Sequence, residues 1–124
     1  MKVLVVDDFA TMRKIIKNVL KQINIENVIE AENGKHALTV LGSDSVDLII
    51  SDWVMPEMTG IEFLKACKND ENIKKIPFIM VTAEAQKENI MEAIKSGVDN
   101  YIVKPFTPEK LREAIDKAKA KVGK

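Results

Sequence analysis

The sequence predicts one α/β domain, a five-stranded parallel sheet with helices on both of its faces. Three observations carry that. Short apolar runs alternate with longer stretches of helical periodicity, five times over. Three of the runs are apolar without interruption, as expected of strands buried on both faces. The chain of 124 residues, 46% of them hydrophobic, has the length of one domain and can bury a core without staples.

The first strand is Val3-Leu4-Val5-Val6. The stretch after it keeps Met12, Ile15, Ile16, Val19, Leu20 and Ile23 at the spacing of one helical face. Asn27 to Ala31 makes a weaker strand, because Glu30 interrupts Val28 and Ile29; an edge strand allows that. A short helix over roughly Gly34 to Leu41 precedes the third strand, Leu48-Ile49-Ile50. Gly60 to Lys68 and Lys87 to Lys95 read as helices around the fourth strand, Phe78-Ile79-Met80-Val81. The fifth strand is Tyr101-Ile102-Val103, and Leu111, Ala114, Ile115 and Ala118 mark the face of the last helix. Right-handed crossovers leave few topologies for five such units, and the flavodoxin-like order 2-1-3-4-5 suits a weak second strand at one edge. Residues 1–124 show no linker, repeat or low-complexity segment and are expected to form a single domain.

Charge and composition exclude several functions. Nineteen Lys and Arg balance nineteen Asp and Glu, so nothing pulls the whole chain toward nucleic acid or an anionic membrane. The apolar runs are too short to span a bilayer, and the order of a signal peptide is missing. The lone Cys67 falls among helix-spaced Ile61 and Leu64 and reads as a small core residue; a reducing, cytoplasmic setting fits. His36, the one histidine, reads as a surface residue of the second helix.

Ligands of open α/β sheets bind beyond the carboxyl ends of the strands, where the strand order reverses. Here strand 1 ends in Asp7-Asp8, strand 3 in Asp52, strand 4 in Thr82 and strand 5 in Lys104-Pro105. Each has an ordinary structural explanation alone: Asp and Thr cap helices and fix turns, and a lysine is usually solvated. Together they resist it. Two carboxylates ~4 Å apart repel by about 4 kcal/mol at an effective dielectric near 20, and three are worse, so the cluster implies a compensating cation. With oxygen donors and neither a second His nor a Cys at ligand spacing, zinc is disfavoured; a carboxylate site facing a Lys and a hydroxyl points to Mg²⁺ and a phosphoryl group. The five glycines fit no nucleotide-binding loop, so the phosphoryl group must be carried by the protein itself, and Asp is a known covalent acceptor.

Val5-Val6-Asp7-Asp8, Ser51-Asp52-Trp53-Val54-Met55-Pro56, Val81-Thr82-Ala83-Glu84 and Tyr101-Ile102-Val103-Lys104-Pro105-Phe106 resemble the motifs of the receiver domain of two-component response regulators. The likeness covers essentially the whole chain, with all the family's site positions in order. The strand order 2-1-3-4-5 is that family's own, so the resemblance implies the topology as well as the chemistry. Within the family the chain is most similar to single-domain chemotaxis regulators. The resemblance implies that Asp52 is the phosphoacceptor for a sensor histidine kinase, here a chemotaxis kinase. It implies that Asp8, Asp52 and the backbone carbonyl of Val54 hold Mg²⁺, with Asp7 acting mainly through water. Lys104 and Thr82 would grip phosphoryl oxygens, the Lys104–Pro105 bond would be cis, and Tyr101 would belong to the switch and output face. That face spans Gln86 to Ser96, Tyr101 to Val103 and Pro108 to Ala118, with Lys87, Met91, Tyr101, Lys110 and Arg112 as exposed contacts. The family's best-known chemotaxis member has Asn where this chain has Val54, which removes a side chain able to touch water during dephosphorylation.

The expected function is thus a phosphorylation-controlled messenger, monomeric and cytoplasmic, acting on the flagellar motor switch, with a phosphatase as a further partner. It would be a signalling phosphoacceptor rather than an enzyme, inserted in no membrane and bound directly to no nucleic acid. Two other readings compete. One is a receiver cut from a longer DNA-binding regulator, or a phosphorelay intermediate. The other is a phosphatase with an Asp nucleophile, whose D-x-D spacing after the first strand is not met by Asp7-Asp8-Phe9.

Overall fold

The computed structural model describes residues 1–53, 55, 57–83 and 85–122, the last two by their backbone alone. Five strands alternate with five helices: β1 (Val3–Val6), α1 (Ala10–Gln22), β2 (Val28–Ala31), α2 (Gly34–Ser43), β3 (Leu48–Ser51), α3 (Gly60–Lys68), β4 (Phe78–Thr82), α4 (Lys87–Lys95), β5 (Asn100–Val103) and α5 (Pro108–Val122). All pairings are parallel, in the order β2-β1-β3-β4-β5, as the sequence predicts. β1, β3 and β4 are buried throughout, whereas the edge strand β2 is half-buried over three of its four residues.

Alternation along each strand divides the core in two. Val3, Val5, Leu48, Ile50, Ile79, Val81 and Ile102 face Ile16, Val19 and Leu20 of α1 and Leu111, Ala114 and Ile115 of α5. Leu4, Val6, Ile49, Phe78 and Met80 face Ala37 and Leu41 of α2, Phe63, Leu64 and Cys67 of α3 and Ala93 of α4. Phe63 and Phe78 meet with ring centroids 5.4 Å apart. Burial pushes the Cys67 thiol up to about 12, so it is a packed core group and not a reactive thiolate. His36 is exposed, as expected.

Differences from the sequence expectation lie at the margins. α2 runs two residues beyond Leu41, and β3 and β4 each gain a polar residue, Ser51 and Thr82. Ile15 is 43% exposed, and Met12 and Ile23 are only half-buried. At 100° per residue Ile15 flanks the stripe whose centre is Ile16, Val19 and Leu20, whereas Met12 and Ile23 fall on that stripe but at the two ends of the helix. No helix of the described residues is long and apolar enough to cross a membrane.

Candidate functional site

The ladder of the sheet runs one residue past the strand ends. Asp7 N–H donates to the Ala31 carbonyl at 3.1 Å, Asp52 N–H to the Val6 carbonyl at 3.0 Å, and Lys104 N–H to the Thr82 carbonyl at 2.8 Å. Asp7, Asp52 and Lys104 therefore keep the phase of Val5, Ile50 and Ile102, and their side chains leave the sheet on the side of α1 and α5. Lys104 Nζ lies 3.4 Å from Asp7 Oδ2 and 3.5 Å from Asp52 Oδ2. Asp8, next in the chain, is exposed, yet one oxygen from each of Asp7, Asp8 and Asp52 falls within 4.8 Å of the others. Such a set of hard oxygen donors fits a divalent cation of the Mg²⁺ type.

Burial makes the cluster costly. Asp7 is 1% exposed and Asp52 6%. The Asp7 carboxyl is pushed above its usual range by loss of water; the Phe9 N–H and the Lys104 ammonium oppose that shift, and the Asp52 charge adds to it. Local bonds fix both groups. Asp7 Oδ1 accepts from Phe9 N–H at 2.9 Å, and Asp52 Oδ1 accepts from Trp53 N–H at 2.7 Å. Thr82, 1% exposed, ends β4 between Asp52's strand and Lys104's strand.

The loop after Asp52 is set by close packing. Gly60 N–H donates to the Trp53 carbonyl at 2.6 Å, and a Cβ on Gly60 would stand 2.1 Å from the Asp52 carbonyl oxygen. Only glycine fits there. Thr59 and Glu62 form a capping box that starts α3, with Glu62 held below its usual range by the Thr59 backbone N–H and hydroxyl. Glu57 takes a positive φ of 66° and accepts from Asn33 Nδ2 at 3.2 Å.

Seven site residues follow from the sequence reading. Asp7, Asp8, Asp52 and Lys104 converge, Thr82 stands beside them, Tyr101 lies farther along the sheet, and Val54 falls outside the described residues. The Lys104–Pro105 peptide is cis, as expected. Tyr101 differs from its expected exposed placement. It is half-buried, packs on the α2–α3–α4 side of the core and meets Trp53 edge-on, with centroids 6.4 Å apart. Among the described residues its strand pairs only with β4, but its side chain turns toward the helices that cover that face. Lys87, Met91, Lys110 and Arg112 are exposed as expected. Sequence reasoning missed Arg13, whose Nη1 donates to the Asp7 carbonyl; its place one turn into α1, within reach of the strand end, was the available signal.

The response regulator receiver domain family matches residues 3–116. The chain belongs to that family. It is 50% identical over 117 residues to the chemotaxis protein CheY of Pseudomonas aeruginosa, covering 94% of each chain. It is 49% identical to chemotaxis protein CheY-3 of Vibrio cholerae, over 94% of this chain and 90% of that one. Among solved structures, the chemotaxis protein CheY4 of Vibrio cholerae superposes with a TM-score of 0.86 at 37% identity, covering 94% of this chain and 97% of the other. A receiver domain of a histidine kinase from Syntrophus aciditrophicus reaches 0.89 at 27% identity, covering 96% and 89%. The receiver is thus CheY-like in sequence and in fold, consistent with chemotaxis signalling.

Proposed function

We propose that residues 1–124 act as one receiver domain, a response regulator phosphorylated on Asp52 by a sensor histidine kinase. The observation that carries this reading is the approach of one ammonium, Lys104, to two buried carboxylates at the carboxyl ends of adjacent strands. An Asp52 oxygen attacks the phosphorus of a phospho-histidine, the P–N bond breaks, and the imidazole nitrogen leaves with the electron pair. Asp7, Asp8 and Asp52 would hold Mg²⁺, with the Val54 carbonyl as a further ligand. When bound, the cation neutralises charge on the phosphoryl oxygens. Lys104 and the Thr82 hydroxyl hold those oxygens from the other side. The protein is a phosphoacceptor that promotes its own phosphorylation and dephosphorylation, and turns over no separate substrate.

The modification adds about −1.5 to −2 of charge to a site already crowded with carboxylates. Lys104 and Thr82 are the groups that respond, and Tyr101, on the strand next to Thr82, passes the change to the face made by α4, β5 and α5. Identity to chemotaxis proteins supports the flagellar motor switch as the target of that face and a chemotaxis kinase as donor, in the cytoplasm, with a phosphatase to end the signal.

One experiment tests this in two stages. Acetyl phosphate with Mg²⁺ should add a single phosphoryl group, seen by intact mass, to the native chain and none to Asp52→Asn. The phosphorylated sample should then bind a motor-switch peptide about tenfold more tightly in calorimetry, a difference of about 1.4 kcal/mol. A normal phosphoryl yield on Asp52→Asn would remove Asp52 as acceptor; equal affinities would remove the motor switch as target.

A further inference from the structure

Arg13 reaches the acidic site through the backbone alone. Its Nη1 donates to the Asp7 carbonyl, and its Nε donates to Glu30 Oε1 at 2.9 Å. The side chain is 16% exposed, so these bonds are made largely out of water. Glu30 belongs to the edge strand β2 and also accepts from Lys17 Nζ at 3.0 Å. The two cations hold its carboxyl below the usual range, Lys17 more than Arg13.

The carbonyl that Arg13 holds belongs to the peptide unit joining Asp7 to Asp8. Fixing that unit places Asp8 Cα and so narrows the directions its side chain can take. Asp8 depends on such a hold. It is exposed, and among the described residues no hydrogen bond or ion pair restrains its carboxylate. Asp7 needs it less, being buried and bound through its own carboxylate to the Phe9 N–H and Lys104.

We propose that Arg13 is a positioning residue for the cation site: by gripping the Asp7 carbonyl it keeps Asp8 turned toward Asp7 and Asp52, and Glu30 keeps Arg13 in place. This rests on the Mg²⁺ reading above. Charge and geometry make opposite demands on it. A guanidinium beside a cation site repels the cation, so by charge alone its removal would tighten Mg²⁺ binding. Positioning requires the reverse. The planar fork also matters, since Nη1 serves the carbonyl and Nε the carboxylate in one plane, and a lysine ammonium lacks that geometry.

The test is a Mg²⁺ titration of the full chain at fixed ionic strength, followed by emission of Trp53, the sole tryptophan and the neighbour of Asp52. The native chain should give a saturable change. Arg13→Ala should weaken Mg²⁺ by about tenfold, the scale typical of groups that orient metal ligands. Arg13→Lys keeps the charge without the fork and should move in the same direction. Glu30→Gln should weaken binding in the native background and add nothing in Arg13→Ala, because the two act as one unit. Lys17→Ala, which removes only an exposed partner of Glu30, should stay within about twofold. Circular dichroism and urea melts identify any variant that fails to fold, and Arg13→Lys then carries the comparison. Equal or tighter Mg²⁺ binding by folded Arg13 variants overturns the positioning role and leaves the Mg²⁺ reading intact. No Mg²⁺ response in the native chain overturns both.

Discussion

At the amino ends of the strands, acidic side chains are matched to nearby donors. Asp47 Oδ2 accepts from the Lys2 backbone N–H at 2.7 Å, and Asp99 Oδ2 accepts from Phe78 N–H at 2.8 Å with Lys68 Nζ 3.6 Å away. Asp44 pairs with the Lys2 ammonium at 3.5 Å. At the carboxyl ends, Asp7 and Asp52 share Lys104, and Asp8 has no ion pair among the described residues. The residue types are the same. Their arrangement is not: one end uses acids to satisfy the first N–H groups of parallel strands, while the other gathers acids in excess of the cations that face them. A fold gains stability from the first arrangement and spends some of it on the second, as the proposed cation site requires.

The largest expected effect breaks the carboxyl end by sterics. Gly60→Ala puts a Cβ against the Asp52 carbonyl and 2.7 Å from Trp53 Cα, both backbone atoms that cannot swing aside. The loop carrying Asp52 must shift, at a cost of about 3 kcal/mol in urea unfolding. The Mg²⁺ response of Trp53 should be lost as well. A stability change under 1 kcal/mol would mean that the loop repacks freely.

Asp99→Ala tests the amino end. It leaves the Phe78 N–H, at the start of a fully buried strand, without its carboxylate, and Lys68 without its ion pair. The expected loss is about 2 kcal/mol, measured by the urea midpoint, with phosphorylation by acetyl phosphate retained.

Asp7→Asn should have the opposite sign, and it sharpens the comparison most. The amide keeps the size of the side chain but ends the burial of a charge beside Asp52. Stability should rise by about 1 kcal/mol, while Mg²⁺ binding weakens. Its pH dependence follows from the raised carboxyl. Because folded Asp7 holds its proton more tightly than the unfolded chain, acid relieves the site. The favourable contribution is complete below the ordinary value of 3.8 and is lost as pH rises through the higher folded value. The advantage of Asp7→Asn over the native chain should therefore be greatest at neutral pH and close on acidification toward 3.8. Glu30 runs the other way: its contribution is present above 4.5 and fades as pH falls through its lowered folded value. An advantage of Asp7→Asn that does not change with pH would show that the substitution acts through packing instead of charge.

Much of this was legible in the sequence because parallel strands buried on both faces advertise themselves as solid apolar runs. β1, β3 and β4 were found within a residue of their ends, and α3 and α4 at their bounds. The site was legible for a related reason. In a sheet of this kind the residues at and just past the carboxyl ends of the strands meet, so Asp7, Asp8, Asp52, Thr82 and Lys104 could be grouped from strand order alone. Helix margins were less legible, since Ile15 stands beside the buried stripe and Met12 and Ile23 at the ends of α1, where burial depends on what the rest of the fold packs over them and not on spacing.

By itself the sequence determined the order of elements, the two faces of the sheet and the membership of the acidic cluster, because each follows from periodicity and from chain order. Tertiary structure alone decided how unequal the cluster's members are. Asp7 and Asp52 are buried on Lys104 while Asp8 stands in solvent, a distinction made by what packs over each carboxylate. It also decided that Tyr101 turns inward onto Trp53, and that Arg13 spans from α1 to the Asp7 carbonyl and Glu30. These are contacts between residues 48, 6 and 17 positions apart, fixed only when the helices dock, since no local propensity selects one rotamer's distant partner over another.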